Sequence, residues 1–150
     1  GPSACVEVLV GPEGWVFTEE IPGTLAVYGA SLLPDVGSRG LDFFQFEFWF
    51  ASLGGGQPGT FMLGEGSEAN YATCLRCLFA IVSDPAGARD FLASSGTLVI
   101  SDASDVYGGV LHATLTDVTF TEVTIDGDNV SHPVPGGECL HLTSATIDRE

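Results

Sequence analysis

Between Asp42 and Phe50 the chain reads DFFQFEFWF, with Phe44, Phe46, Phe48 and Phe50 at every second position. Side chains spaced by two share one face of a strand and no single face of a helix. Gln45 and Glu47 take the opposite face, with Phe43 and Trp49 at its ends. Each phenylalanine, fully buried, contributes roughly 1.5–3 kcal/mol. A row of four therefore demands a core, and the rest of the chain must supply the opposing wall.

The remaining pattern is β almost throughout. Strands are expected at Cys5–Val10, Trp15–Thr18, Thr24–Tyr28, Thr60–Leu63, Cys74–Val82, Thr97–Ser101, Val110–Leu115, Val118–Ile125 and Cys139–Ile147. The turn Gly54–Gly59 predicts a hairpin between Asp42–Phe50 and Thr60–Leu63. Gly64–Ala72 reads as loop. Asp84 as N-cap and Pro85 at the first helical position could open one helical turn, and the small residues that follow predict a turn or a helical stub here. Alternation slips between Leu115 and Val118 and again between Phe120 and Val123, so bulges or bends are expected there. Asp126-Gly127 predicts a two-residue hairpin turn. Many short strands with Gly- and Pro-rich turns indicate an all-β fold, an antiparallel β-sandwich (jelly-roll-like) or a barrel. Gly1-Pro2 matches the scar left by tag cleavage, so residues 3–150 are read as one domain.

Charge narrows the partners. The chain has 150 residues and a net charge of −16, with 20 acidic residues against four arginines and no lysine. Such a field repels phosphate backbones and excludes nucleic acid as a partner. Anionic membranes are disfavoured for the same reason. Divalent cations or basic partners are compatible, and solubility alone also accounts for the charge. No apolar run reaches the ~18 residues of a transmembrane helix.

The four cysteines, Cys5, Cys74, Cys77 and Cys139, point to an oxidising compartment. Two structural disulfides are the favoured reading, and four cysteines allow three pairings. Cys5–Cys139 with Cys74–Cys77 would tie the chain ends and leave a tight local ring. The other two pairings link each end to the central motif. A zinc site made of Cys74, Cys77, Cys139 and either Cys5 or His141 is the rival. A redox Cys-x-x-Cys normally opens a helix, and this one runs into a strand. Ser3-Ala4-Cys5 also matches the end of a lipoprotein signal, in which Cys5 would carry a lipid anchor.

Asn70-Tyr71-Ala72-Thr73-Cys74 followed by Cys77, the run Phe91 to Gly96-Thr97-Leu98, the strand Val118–Ile125 and Pro133-Val134-Pro135-Gly136-Gly137-Glu138-Cys139 together resemble a family of secreted proteins and lipoproteins of myxobacteria. The resemblance covers the chain from about Asp42 onward. It implies a secreted, β-rich, disulfide-bonded protein, and it carries over no catalytic residue.

Other constellations are thinner. Glu47 beside Trp49 is the best-placed carboxylate and aromatic pair for stacking and holding a sugar. With Glu122 or Glu138 it could serve glycoside hydrolysis. Asp102, Asp105, Asp126 and Asp128, with Asn129, supply hard oxygen ligands for calcium but lack the EF-hand register. No Gly-x-Ser-x-Gly elbow positions a nucleophile for His112, His132 or His141. Gly64-Glu65-Gly66-Ser67 has an acid where a phosphate would sit. The sequence thus favours a non-catalytic extracellular or cell-surface binding or structural module with an unassigned surface or matrix ligand. An extracellular carbohydrate hydrolase and a calcium- or zinc-binding protein are the alternatives.

Overall fold

The computed structural model describes residues 5–21, 25–34, 36, 42–49, 58–103 and 111–149. Ten strands form among them: β1 (Val6–Val10), β2 (Val16–Ile21), β3 (Leu25–Leu33), β4 (Phe43–Trp49), β5 (Gly59–Met62), β6 (Arg76–Asp84), β7 (Gly87–Ala103), β8 (Leu111–Ile125), β9 (Ser131–Pro133) and β10 (Cys139–Arg149). Seven of them, in the order β7-β6-β4-β3-β1-β10-β8, close into a barrel through the β7–β8 pairing. Closure pairs edges that would otherwise template aggregation. β5 extends from β7, β9 from β8 and β2 from β3. β1 runs parallel to β10 through Val6–Val8, then crosses to pair antiparallel with β3 through Leu9 and Val10.

The phenylalanine row does what its spacing requires. Phe44, Phe46 and Phe48 are all 0% exposed. Phe50 lies outside the described residues. Phe46 stacks on Phe48 with centroids 4.2 Å apart, Phe44 meets Phe120 at 5.6 Å, and Trp15 closes over Phe44 and Phe46 at 6.0 and 6.1 Å. Offset and tilted pairs such as these add stabilisation beyond area burial. Leu32, Val82, Phe91, Leu98, Leu115, Leu140 and Ile147 fill the rest of the interior.

Two arginines flank the interior, Arg76 at the start of β6 and Arg89 near the start of β7, across from Val82 of β6. Arg76 lies over the Phe61 ring at 3.4 Å and pairs with Glu68 at 2.5 Å. Arg89 lies over Phe91 at 5.5 Å and pairs with Asp84 and Glu138, both at 2.6 Å.

Two expectations change and a third narrows. Thr60–Leu63 does not fold back on the phenylalanine strand. It forms β5 and pairs with β7, while β4 is flanked by β3 and β6. Of the turn or helical stub expected at Asp84-Pro85, the structure has the turn, a tight β6–β7 hairpin in which Asp84 faces Gly87 across Pro85-Ala86. Two residues leave no room for a helix, and the Asp84 carboxylate accepts from Arg89 Nε instead of capping one. The Asp126-Gly127 turn is a wider loop over residues 126–130. In it Asp126 Oδ1 accepts from the main-chain N–H groups of Asp128 and Val130 at 2.8 and 3.1 Å.

The first slip in alternation is a bend shared by three strands. Exposed pairs interrupt the inward rows together at Ser94-Ser95, Thr116-Asp117 and Thr143-Ser144. Asp117 adopts φ 54 there, and Gly96 adopts φ 131. A Cβ on Gly96 would lie 2.8 Å from Val118 Cα, so only glycine lets β7 approach β8 at this point. The second slip is no bulge. Pairing runs unshifted from Ala93↔Phe120 to Asp90↔Val123, and Val123 is buried on the opposite face. The barrel wall is covered on its outside here.

Candidate functional site

The covered outer wall is made by β4, β6, β7 and β8. Its outward residues Cys77, Phe79, Leu92 and Val123 form a second apolar cluster, with Trp49, Tyr71, Ile81 and Ile125 packed around it. The segment after β5 provides the cover. Gly64 turns the chain at φ 75, so close to β7 that a Cβ would fall 2.1 Å from the Ser94 carbonyl oxygen. A short 3-10 helix, Gly66–Ala69, follows, and the chain after it brings Tyr71 and Cys74 onto the outer wall.

Each part of this strap is fastened. Glu68 is 9% exposed, and its carboxylate accepts from Leu75 N at 2.9 Å, Arg76 N at 3.3 Å and Arg76 Nη1 at 2.5 Å. The Asn70 side chain exchanges two 3.0 Å hydrogen bonds with the Ser131 main chain on β9. Tyr71 N donates to Ser131 Oγ at 3.1 Å. Thr73 Oγ1 donates to Ser67 O at 2.6 Å, and Trp49 N donates to Leu75 O at 2.9 Å. The Cys74–Cys77 disulfide bonds the strap to β6.

Tyr71 is thereby held against Phe79, centroids 4.8 Å apart and edge to face, with its hydroxyl donating to both oxygens of Glu47 at 3.3 and 3.4 Å. Gln45 Nε2 donates to Glu47 at 2.9 Å. Two cavities open on either side of the tyrosine. One, of about 380 Å³, is lined by Trp49, Tyr71, Thr73 and Leu75 and by Asp128 and Asn129 of the 126–130 loop. The other, of about 160 Å³, is lined by Glu47, Tyr71, Phe79, Ile81, Asp90 and Ile125. Burial raises the Asp90 carboxyl above the usual carboxylate range. The Tyr71 phenol is pushed up to about 12, first by burial, then by the Glu47 charge and hydrogen bond, then by the Asp90 charge. The groove is thus aromatic and negative.

Glu47 and Trp49 both lie at this groove. Glu47 is not on a solvated face, since Tyr71 covers it to 6% exposure. The four aspartates considered for calcium are not gathered. Asp128 joins the groove, Asp126 is engaged with its own loop and with His132 at 2.9 Å, and Asp102 pairs across from His112 at the far end of β8. Asp105 lies outside the described residues. Among the described residues no group of three His, Cys, Asp or Glu side chains could hold a metal. Glu122 and Glu138 sit with Arg89 at the barrel end, away from Glu47.

All four cysteines are in disulfides, Cys5–Cys139 and Cys74–Cys77, and no free cysteine remains. The zinc arrangement through Cys74, Cys77, Cys139 and Cys5 or His141 therefore has no thiolate to offer. The sulfur that a lipid on Cys5 would occupy is bonded to Cys139. His141 sits between Asp117 and Glu7 on the neighbouring strands, and hydrogen bonds to those two carboxylates raise its pKa. His112 Nδ1 pairs with Asp148 at 2.5 Å. The nearby Ser101 hydroxyl donates to the His112 main-chain carbonyl, so it is not aimed at the imidazole. No helix among the described residues is long and apolar enough to cross a membrane.

Tyr71, Asn70 and Asp90 were not singled out as site residues by sequence reasoning. The available signal was the outward parity of Phe79, Ile81, Val123 and Ile125, apolar residues on a face that a solvated wall would leave polar. No protein-family model, curated protein or solved structure matches the chain.

Proposed function

We propose that this chain is a non-catalytic extracellular or cell-surface binding module whose ligand site is the groove on either side of Tyr71. The observation that carries the reading is the strap. Eight side-chain and main-chain hydrogen bonds and a disulfide hold one tyrosine against the outer wall, leaving shaped cavities beside it. The barrel interior is filled by side chains, so the outer wall is where a ligand fits. The ~380 Å³ cavity falls in the usual range for small-molecule sites, aromatic-lined with a few polar groups. Two disulfides suit an oxidising compartment. The resemblance to secreted myxobacterial proteins agrees with export.

Fragment screening by NMR tests this. Small polar fragments should shift resonances of Trp49, Tyr71 and the Asp128 loop. Shifts confined to another cavity, such as the one of about 460 Å³ lined by Ser101, His112, Thr146 and Asp148, would overturn it.

A carbohydrate hydrolase is the second reading, favoured by Asp90, a carboxyl of raised pKa in a cleft that also contains Glu47. Against it, the Tyr71 hydroxyl bridges both Glu47 oxygens and occupies the place a glycosidic bond would need. Turnover of aryl glycosides that Asp90→Asn abolishes would establish the hydrolase.

A further inference from the structure

The walls of the groove narrow the chemistry of its occupant. Its carboxylates come from three separate elements: Glu47 from β4, Asp90 from β7 and Asp128 from the 126–130 loop. Neither cavity is lined by an arginine or a histidine. Arg76 and Arg89 are committed to the barrel ends, beside Glu68 and beside Asp84 and Glu138. An anion placed in the groove would meet three like charges and no cation from its lining. A bare metal ion would not find three converging donors among the described residues.

The apolar part of the lining combines aromatic rings with Leu75, Ile81 and Ile125. Trp49 and Tyr71 line the larger cavity, and Tyr71 and Phe79 line the smaller. Aromatic faces attract cations through the ring quadrupole, most strongly where water is displaced. The Tyr71 hydroxyl senses the charges of both Glu47 and Asp90, so negative potential is focused where the two cavities meet. Asp90 is a carboxylate short of water, and such a group gains most from a positive neighbour.

We propose that the Tyr71 groove binds an organic ammonium cation, its charged head held in the smaller cavity by Asp90 and the rings of Tyr71 and Phe79, with the Glu47 carboxylate contributing charge from behind the Tyr71 hydroxyl, and its remaining atoms reaching past Tyr71 toward Trp49. The inference rests on the groove being the ligand site. Onium recognition needs rings to replace the hydration shell and carboxylates to balance the charge, and both are fixed here by the strap before any ligand arrives.

The probes are choline and 3,3-dimethylbutan-1-ol, which has the same shape without the charge, with methyl glycosides as a third class. Binding is read by NMR from the Trp49 indole N–H, assigned with Trp49→Phe, and from Tyr71. Choline should shift both saturably, and the neutral isostere should bind about 5- to 30-fold more weakly. Asp90→Asn, which keeps the shape and removes the charge, should weaken choline several-fold. Tyr71→Phe should retain most of the binding because the ring stays. Equal binding of choline and the isostere would overturn the cation while leaving the groove in place. So would groove shifts with glycosides and none with choline. Failure of all three classes to shift any groove resonance would remove the groove reading and this inference with it.

Discussion

Glu68→Ala isolates what the strap contributes. The carboxylate is 9% exposed and the Arg76 side chain 10%. Truncation leaves the Leu75 and Arg76 N–H groups without their carboxylate acceptor and removes the charge that faces the Arg76 guanidinium. Orphaned donors that water reaches poorly cost about 1–3 kcal/mol each when fully buried, and less for the half-buried Leu75. Breaking a buried ion pair from one side costs about 3–5 kcal/mol, most of it the uncompensated charge. These contributions overlap because they share one carboxylate, so the expected loss is about 3–5 kcal/mol in all. In a chain of this size that lowers the melting temperature by roughly 6–20 °C. Glu68→Gln, which keeps one acceptor, should lose about half as much. The assay is thermal unfolding followed by far-UV circular dichroism, with amide exchange of residues 70–75 read alongside. A Glu68→Ala melt within about 2 °C of the wild type would refute the reasoning, because it would mean that Glu68 is solvated and the strap is not pinned through it.

The remaining predictions concern the disulfides, pH and backbone. Replacing Cys5 and Cys139 by alanine opens a loop of sequence separation 134 and should cost about 5 kcal/mol on the chain-entropy model, whereas replacing Cys74 and Cys77, separated by 3, should cost about 2. Urea unfolding decides, and equal losses would contradict the loop-length argument. His141 has a pKa raised above 6.5 by hydrogen bonds to Asp117 and then Glu7, so its contribution is fully present below 6.5 and is lost as pH rises through the raised value. The wild-type urea midpoint should therefore fall across that window more steeply than that of His141→Gln, and parallel curves would refute it. Gly64→Ala should destabilise by roughly 2–4 kcal/mol, since the chain is at positive φ and the new Cβ meets main-chain oxygen. A loss below about 0.5 kcal/mol would show that the strap does not enter as described.

Local patterning made the strands legible and left their partners unread. The period-two row at Phe44–Phe48 and the runs of β1, β6, β8 and β10 are properties of short windows. The β5–β7 pairing and the parallel β1–β10 pairing join residues far apart in sequence, and no window contains both partners. A glycine-rich turn between two strands favoured the wrong hairpin for that reason. Pro85 carried two local meanings, a helix start and a tight turn, and the length of the flanking strands decided between them. The slip from Phe120 to Val123 was the most informative miss. The parity change suggests a bulge or bend, whereas β8 pairs without a shift there and buries Phe120 on one face and Val123 on the other.

The site was half legible. Glu47 and Trp49, which line the proposed groove, stand out in the sequence because they alternate with the phenylalanine row. Tyr71 was hidden in a segment whose composition reads as loop, and Asp90 at the head of a strand longer than its pattern suggested. The motif around Cys74 pointed to the place, and the structure shows its role, which is to carry Tyr71 onto the wall.

The account depends on a strap closed locally and on chain ends closed onto each other. Four arginines and no lysine make that directly measurable. Trypsin cuts the chain at Arg39, Arg76, Arg89 and Arg149, so Cys5, Cys74, Cys77 and Cys139 each fall in a different peptide. Digestion without reduction, read by mass spectrometry, should give peptide 1–39 linked to 90–149 and peptide 40–76 linked to 77–89. A linkage of 1–39 to 40–76 or to 77–89 would break both the β1–β10 closure and the strap, and the groove at Tyr71 with them.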